Sequence, residues 1–313
     1  MVDTKEVAEN IYMIDNHLYS IPKFGSVYLI NEERKALIDT GPTTSNSVVL
    51  DGIRHLGVRP EDINYIIVTH IHLDHAGGAG FLIRDMPNAQ VIVHHRGAKH
   101  LVNPAKLVSS AMDAQAQVED GQVVETEVAP IAEERVQPVY DGHVIELSEQ
   151  QTLKIIDAPG HAQHELCIHE SRNNGLFIGD TAGVFVSENE ILVMVAPPPN
   201  FDADLSITTL KKLMKLRASR IYFAHFGMSR EVQRNLQSAI DWLQDWDDII
   251  TEAAGKNRRD GAMEGLMSHA CARLEPIRNK SPLIYDYLIK HDMPMSIDGY
   301  LKYYQDKHGI SLN

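Results

Sequence analysis

The chain of 313 residues predicts an α/β fold followed by a helical tail, on three observations. Short β-branched apolar runs bounded by turn residues recur through the first two thirds, as buried strands require. A stretch with helical spacing lies between the second and third of these runs. After about residue 228 the apolar residues keep only a helical period, and prolines punctuate it.

Ser26-Val27-Tyr28-Leu29-Ile30, Ala36 to Asp39 and Ile63 to His70 form the first strand-like runs, with a helical pattern from about Ser45 to Leu56 before the third. A further helix is expected to open at Ala76-Gly77-Gly78-Ala79. Residues 97 to 141 break the alternation with the Met112 to Gln117 stretch and an acidic, valine-rich loop, expected as a helix and excursion near the mouth of a site. Strands resume near His143 and continue through Leu153 to Ile156, the segment around Cys167, Gly175 to Asp180 and Ile221 to His225; a helix from about Leu205 to Leu216 precedes the last. Val232 to Ile250, Ala262 to Leu274, Leu283 to Lys290 and Ser296 to Tyr304 are expected helices, separated by Pro276, Pro282 and Pro294. This divides the chain into a catalytic domain, 1–228, and a helical extension, 229–313, expected to cover a pocket or to form a homodimer. Tyr285, Tyr287, Tyr300, Tyr303 and Tyr304 fall at helical spacing, where aromatic residues usually pack. His269, His291 and His308 are treated in the same way.

A hydrophobic content of 43% suits a globular protein, and a net charge of −14 repels nucleic-acid backbones and anionic membranes. No basic run is denser than Asn257-Arg258-Arg259 or Leu210-Lys211-Lys212. The first residues lack an apolar stretch of signal-peptide length, and nothing approaches a membrane span, so a cytoplasmic location is expected. Two cysteines, Cys167 and Cys271, argue against a disulfide framework, and Cys167 lies within an apolar run as a small hydrophobe would.

The chemistry concentrates at Thr69-His70-Ile71-His72-Leu73-Asp74-His75, where three histidines and an aspartate occupy six positions. Imidazole and carboxylate are the donors that suit zinc, iron or manganese. At a spacing of two in an extended chain, His70 and His72 leave the same face and can converge on one ion. Asp74 and His75 follow a turn that can direct them to a second.

This motif resembles that of the metallo-β-lactamase superfamily, and the downstream order of motifs extends the resemblance. Asp157-Ala158-Pro159-Gly160-His161 follows a strand, Gly175 to Asp180 ends on a carboxylate, and Ile221 to Phe226 carries His225. The resemblance implies a four-layer αβ/βα sandwich with two facing sheets and the metal site on one edge. It also implies two divalent ions, with zinc first and iron or manganese as alternatives. His70, His72 and His161 would hold the first, Asp74, His75 and His225 the second, and Asp180 would touch both. Asp39 matches a position that orients a ligating imidazole; the alternative is a cap on the helix beginning near Thr43 or Thr44. His164 either braces the site or bonds within its own strand, while His94 and His95 match no ligand position.

The resemblance is to the glyoxalase II and acyl-homoserine lactonase branches. It implies hydrolysis of a small ester, lactone or thioester by metal-activated hydroxide, with Asp74 or water managing the proton. The lactonase branch carries a tyrosine where Gly183 stands here. The alternatives are a mononuclear iron persulfide dioxygenase of the same fold and a non-catalytic metal-binding protein.

Overall fold

The computed structural model describes residues 2–115, 127–188, 190–254 and 259–309. Its first sheet comprises β1 (Thr4–Ala8), β2 (Ile11–Asp15), β3 (Ser26–Ile30), β4 (Lys35–Ile38), β5 (Ile63–Ile67), β6 (Gln90–His94) and β7 (Val136–Val139), adjacent in that order. Pairing is antiparallel from β1 to β4 and parallel from β4 to β7. The second sheet uses β8 (Val144–Ser148), β9 (Gln151–Asp157), β10 (Leu166–Glu170) and β11 (Gly175–Phe177). After a hairpin of β12 (Val184–Val186) and β13 (Ile191–Val193), β14 (Arg220–Phe223) and β15 (Gly227–Ser229) complete it, in the order β15-β14-β11-β10-β9-β8.

The two sheets bury one apolar layer between them, with Tyr28, Ile38 and Ile67 on one side and Ile155, Phe177 and Tyr222 on the other. Between β4 and β7 the first sheet is crossed by α1 (Asn46–His55), α2 (Leu73–Ala76), α3 (Ala79–Asp85), α4 (Ala98–Val102) and α5 (Ala105–Gln115). Val49, Ile53, Leu82 and Leu101 of these helices share a core with Leu37 and Ile66. On the outer side of the second sheet lie α6 (Ala203–Met214), α7 (Val232–Ala254), α8 (Arg259–Leu274), α9 (Pro282–Tyr287) and α10 (Met293–His308). The layers therefore run helix, sheet, sheet, helix, the αβ/βα sandwich with C-terminal helices. Parallel strands β4 to β6 are largely apolar because each face is covered, the first by helices and the second by the opposing sheet, while the edge strand β7 is partly exposed.

Trp242 and Trp246 of α7 are fully buried and pack against α8 and α10 through His269 and Tyr300. Their core also contains Leu176, Ile178 and Ile221 of the second sheet, so the C-terminal helices and that sheet share one apolar interior. Burial of each such side chain contributes about 1.5–3 kcal/mol.

The helix bounds expected at 45–56, 205–216 and 232–250 lie close to those observed; Asp202 caps α6 by accepting from Leu205 N at 2.9 Å. Two expectations need correction. The helix expected at Ala76 to Ala79 is α3, opening at Ala79, but a separate turn not expected, α2 over Leu73–Ala76, precedes it and carries Asp74 and His75. Pro294 does not separate two helices: it occupies the first turn of α10, where its missing N–H leaves no bond unmade, and a π turn over Leu288–Asp292 joins α9 to α10. Residues 105–115 do form a helix, but the acidic stretch expected to follow it lies outside the described residues.

Gly299 shows how closely the last helix approaches the site-bearing region. A Cβ there would collide with the Ala196 carbonyl oxygen and stand 2.9 Å from Pro198 N. Gly299→Ala should therefore cost about 1–3 kcal/mol, since neither backbone can retreat without moving a packed helix. A thermal melt matching that of the wild type would disprove this close approach.

Candidate metal centre

Each donor sits where a strand ends at the same edge of the sandwich. After β5 the chain runs through buried Val68 and Thr69 to His70 and His72, and α2 then presents Asp74 and His75. Leu166 N donates to Thr69 O at 2.7 Å, tying this segment to the start of β10 in the other sheet. His161 follows β9 beyond Gly160, whose φ of +148° and contact with the Ser206 backbone leave no room for a side chain. Asp180 follows β11, and His225 lies between β14 and β15.

The structure brings the seven expected donors into two adjoining groups, His70, His72 and His161, and Asp74, His75, Asp180 and His225. In the first, His72 Nδ1 is 2.9 Å from His70 Nε2 and 3.1 Å from His161 Nε2. In the second, His75 Nε2 lies 3.4 Å from both Asp74 Oδ2 and Asp180 Oδ2. His225 Nε2 lies 3.5 Å from Asp74 Oδ2 and 3.4 Å from Asp180 Oδ1. Donors about 2.0–2.1 Å from a tetrahedral ion are separated by about 3.3–3.4 Å, so the second group has the dimensions of a coordination shell. Asp180 Oδ2 is also 3.6 Å from His161 Nε2, which places its carboxylate between the groups. His75 Nε2 and Asp180 Oδ1 are buried without a hydrogen-bond partner, as expected of atoms whose partner is a cation.

The opposite ring nitrogens are held by the protein. His75 Nδ1 is 3.2 Å from Asp39 Oδ2, His161 Nδ1 3.3 Å from Val195 O, and His225 Nδ1 3.3 Å from Phe24 O. Each partner is an acceptor, so the proton rests on Nδ1 and the Nε2 lone pair faces the site. Asp39 is buried with φ +60° and also accepts from Thr69 N at 2.7 Å and Thr69 Oγ1 at 2.9–3.0 Å. It does not cap the helix after Thr43, where no side-chain cap is made.

Electrostatics separates the two groups. Burial, then the neighbouring imidazoles, pushes His70 well below its ordinary pKa and His72 down to about 3. Burial also lowers His161. These rings keep their lone pairs at neutral pH. Burial opposes charge on His75 and His225 as well, but the Asp180 and Asp74 carboxylates outweigh it and raise both. The same attraction overcomes the effect of burial on the carboxylates and lowers Asp180 and Asp74. The carboxylates of this group thus favour positive charge where a divalent ion would sit.

Other candidates fall outside the two groups. His94 Nδ1 accepts from Arg96 N at 3.1 Å and its ring stacks on His95, which stacks on Tyr140. His164 flanks the first group, its ring 5.6 Å from that of His72, but contributes to neither. Tyr300 packs in the core with its hydroxyl on Leu243 O, while Tyr287 stacks on Tyr19 and meets Phe24 beside His225. Tyr287 thus packs as expected, one ring removed from His225. Glu165 was not anticipated: buried, it accepts from Asp180 N at 2.7 Å, and burial raises its carboxyl well above the ordinary range. A glutamate opening the apolar run Leu166-Cys167-Ile168 was the available signal, because such a residue is rarely buried without a role. Gly183 is held at φ +79° with the Val193 carbonyl where a side chain would go, so no tyrosine fits there.

A sequence profile of the metallo-beta-lactamase superfamily matches residues 21–225. The chain belongs to that superfamily. Human acyl-coenzyme A thioesterase MBLAC2 is 26% identical over 192 residues, covering 56% of this chain and 64% of that protein. An N-acyl homoserine lactonase of a Bacillus species is 24% identical over 207 residues, 64% of this chain and 69% of the lactonase. In structure, the metallo-beta-lactamase family protein TTHA1429 of Thermus thermophilus superposes with a TM-score of 0.66 at 18% identity, covering 97% of this chain and 95% of its own. That coverage takes in the C-terminal helices.

Asp39→Asn keeps the size of the side chain but removes the charge behind His75. Affinity for added zinc should fall about 10–100-fold with the circular dichroism spectrum unchanged. Wild-type affinity would show that Asp39 does not orient a ligand.

Proposed function

We propose that the chain is a dinuclear metal-dependent hydrolase of a small ester, lactone or thioester. The observation that carries this reading is the position of the Asp180 carboxylate, 3.4 Å from His75 Nε2 and 3.6 Å from His161 Nε2, shared between the two donor groups. His70, His72 and His161 would hold one divalent ion, Asp74, His75 and His225 the other, and Asp180 both. Zinc is the first candidate for such nitrogen and oxygen donors, with iron and manganese as alternatives. Two ions held there supply hydroxide near neutral pH and polarise a carbonyl.

The chain's own residues prepare the site for that chemistry. Asp39, Val195 O and Phe24 O fix three imidazoles with Nε2 inward. Glu165 holds the backbone of Asp180, and Asp180 keeps both groups at one spacing. Asp74, at 20% side-chain exposure against 6% for Asp180, is the more open carboxylate, and with Oδ2 turned to His75 and His225 it would take up a proton at its other oxygen. The thioesterase and lactonase named among its relatives both act at an acyl carbon, which supports a carbonyl substrate. The net charge of −14 disfavours nucleic acid as substrate, and no helix among the described residues is long and apolar enough to cross a membrane. Within this reading, residues 1–228 form the catalytic domain and 229–313 an extension packed on it.

Elemental analysis after reconstitution should approach two metals per chain. Asp180→Asn should lose at least one of them and lower turnover about 100-fold or more on a panel of esters, lactones and thioesters, with the fold intact. His94→Ala should retain wild-type metal content. A plateau at one iron with persulfide oxidation, or an Asp180→Asn variant keeping two metals and full activity, would refute the proposal.

A further inference from the structure

One of the anchors of the site, Val195 O, lies beyond the end of strand pairing. β13 stays in register with β12 as far as Val193, opposite Val184, and Val195-Ala196-Pro197-Pro198-Pro199 follows without regular structure. Val195 and Ala196 are buried, so their backbone groups need partners inside the protein. The three prolines have no N–H, which leaves Ala196 N as the last backbone donor before Asn200.

Two side chains distant in sequence hold this segment. Val195 O accepts from His161 Nδ1 at 3.3 Å, and Ala196 N donates to Ser296 Oγ at 3.1 Å. Ser296 is fully buried near the start of α10. The flank of a helix offers no free backbone acceptor, because its carbonyls are spent along the axis, so a side-chain oxygen has to meet the Ala196 donor. Further along α10, at spacings of three and four that keep residues on one face, the same helix continues the clasp. Gly299 lies against the Ala196 carbonyl with no room for a Cβ, and the Tyr300 and Tyr303 rings meet Phe201 at 5.5 and 6.0 Å. Beyond Phe201, Asp202 N donates to Gly160 O at 2.9 Å, and Gly160 immediately precedes His161. The stretch from Val195 to Asp202 is therefore held by one face of α10 and bonded at both of its ends to residues 160–161.

We propose that Ser296 is a positioning residue for His161: by holding Ala196 N it keeps Val195 O on His161 Nδ1, and α10 thereby sets the direction of the donor nitrogen. The proposal rests on the metal-centre reading above and on no step of the hydrolysis. His161 Nε2 faces His72 Nδ1 at 3.1 Å and Asp180 Oδ2 at 3.6 Å, so a displaced Val195 carbonyl would turn the ring away from the first donor group. The C-terminal helices then have a function in the site, although none of the seven donors comes from them.

Ser296→Ala removes the acceptor with little change of volume. Tyr300→Phe is the control: it removes the hydroxyl bond to Leu243 O from the same helix and leaves Ala196 and the ring against Phe201 untouched. Both are made in the full chain and read in two ways, by calorimetric affinity for zinc and by the histidine ring nitrogen NMR spectrum of the metal-free protein. The His161 signals are identified by their absence in His161→Gln. Ser296→Ala should weaken one of the two zinc sites about tenfold and leave the other as in the wild type. It should also shift the His161 signals from a protonated Nδ1 and a bare Nε2 towards an average of the two tautomers. Tyr300→Phe should match the wild type in both readouts, whatever its melting temperature. Ser296→Cys, a weaker acceptor of nearly the same size, should show the Ser296→Ala changes in smaller measure, and it decides the matter if Ser296→Ala does not fold. Wild-type zinc affinity and His161 signals in the folded Ser296 variant, or the same changes in Tyr300→Phe, would overturn the proposal. If the wild type binds no zinc, the metal-centre reading fails, and the His161 signals of the metal-free protein alone decide whether Ser296 sets the ring.

Discussion

Buried donors that face one another constrain the rest of this molecule. His72 Nδ1 lies within hydrogen-bonding distance of two other ring nitrogens, and burial keeps all three rings uncharged. Next to them two carboxylates face two imidazoles, and one carboxylate oxygen has no partner. Lone pairs concentrated in a low dielectric repel unless positive charge lies between them. The surroundings must therefore hold the donors against that repulsion. Asp39, Glu165 and two backbone carbonyls do so through hydrogen bonds of 2.7 to 3.3 Å, and each is anchored at or near a strand end.

The fold serves this constraint by gathering strand ends. His70 follows β5 in one sheet, while His161, Asp180 and His225 follow β9, β11 and β14 in the other. The bond from Leu166 N to Thr69 O and the bonds from the Tyr28 hydroxyl to Phe223 O and Gly227 O cross between the sheets close to the donors. Rigid elements thus fix the site, and the loop segments only aim it.

Much of this was legible in the sequence because the donors stand next to strong local signals. The run Ile63 to Val68 identifies a buried strand, and the histidines follow it directly; the same holds for Asp180 after Gly175 to Phe177. The α/β order and the helical tail followed from periodicity. β1 was not legible, since Thr4–Ala8 is an edge strand with one buried residue and no alternation to betray it. β12 and β13 are three residues each, too short to carry a period. Glu165 escaped for a different reason: its role depends on which element it meets in space, and no local pattern encodes its bond to the Asp180 N–H.

The interior shared by the second sheet and the C-terminal helices bears on how such a protein can diverge. Because α7 to α10 pack on Leu176, Ile178 and Ile221 while α9 sets Tyr287 against Phe24, the ring next to His225, a change in helix packing can shift the surroundings of His225 without altering any donor. Volume substitutions around Trp242 or Leu288 would then be felt at Tyr287 and Phe24. Sequence drift in the tail can then alter what surrounds the site, while the donors at the sheet edge stay the same.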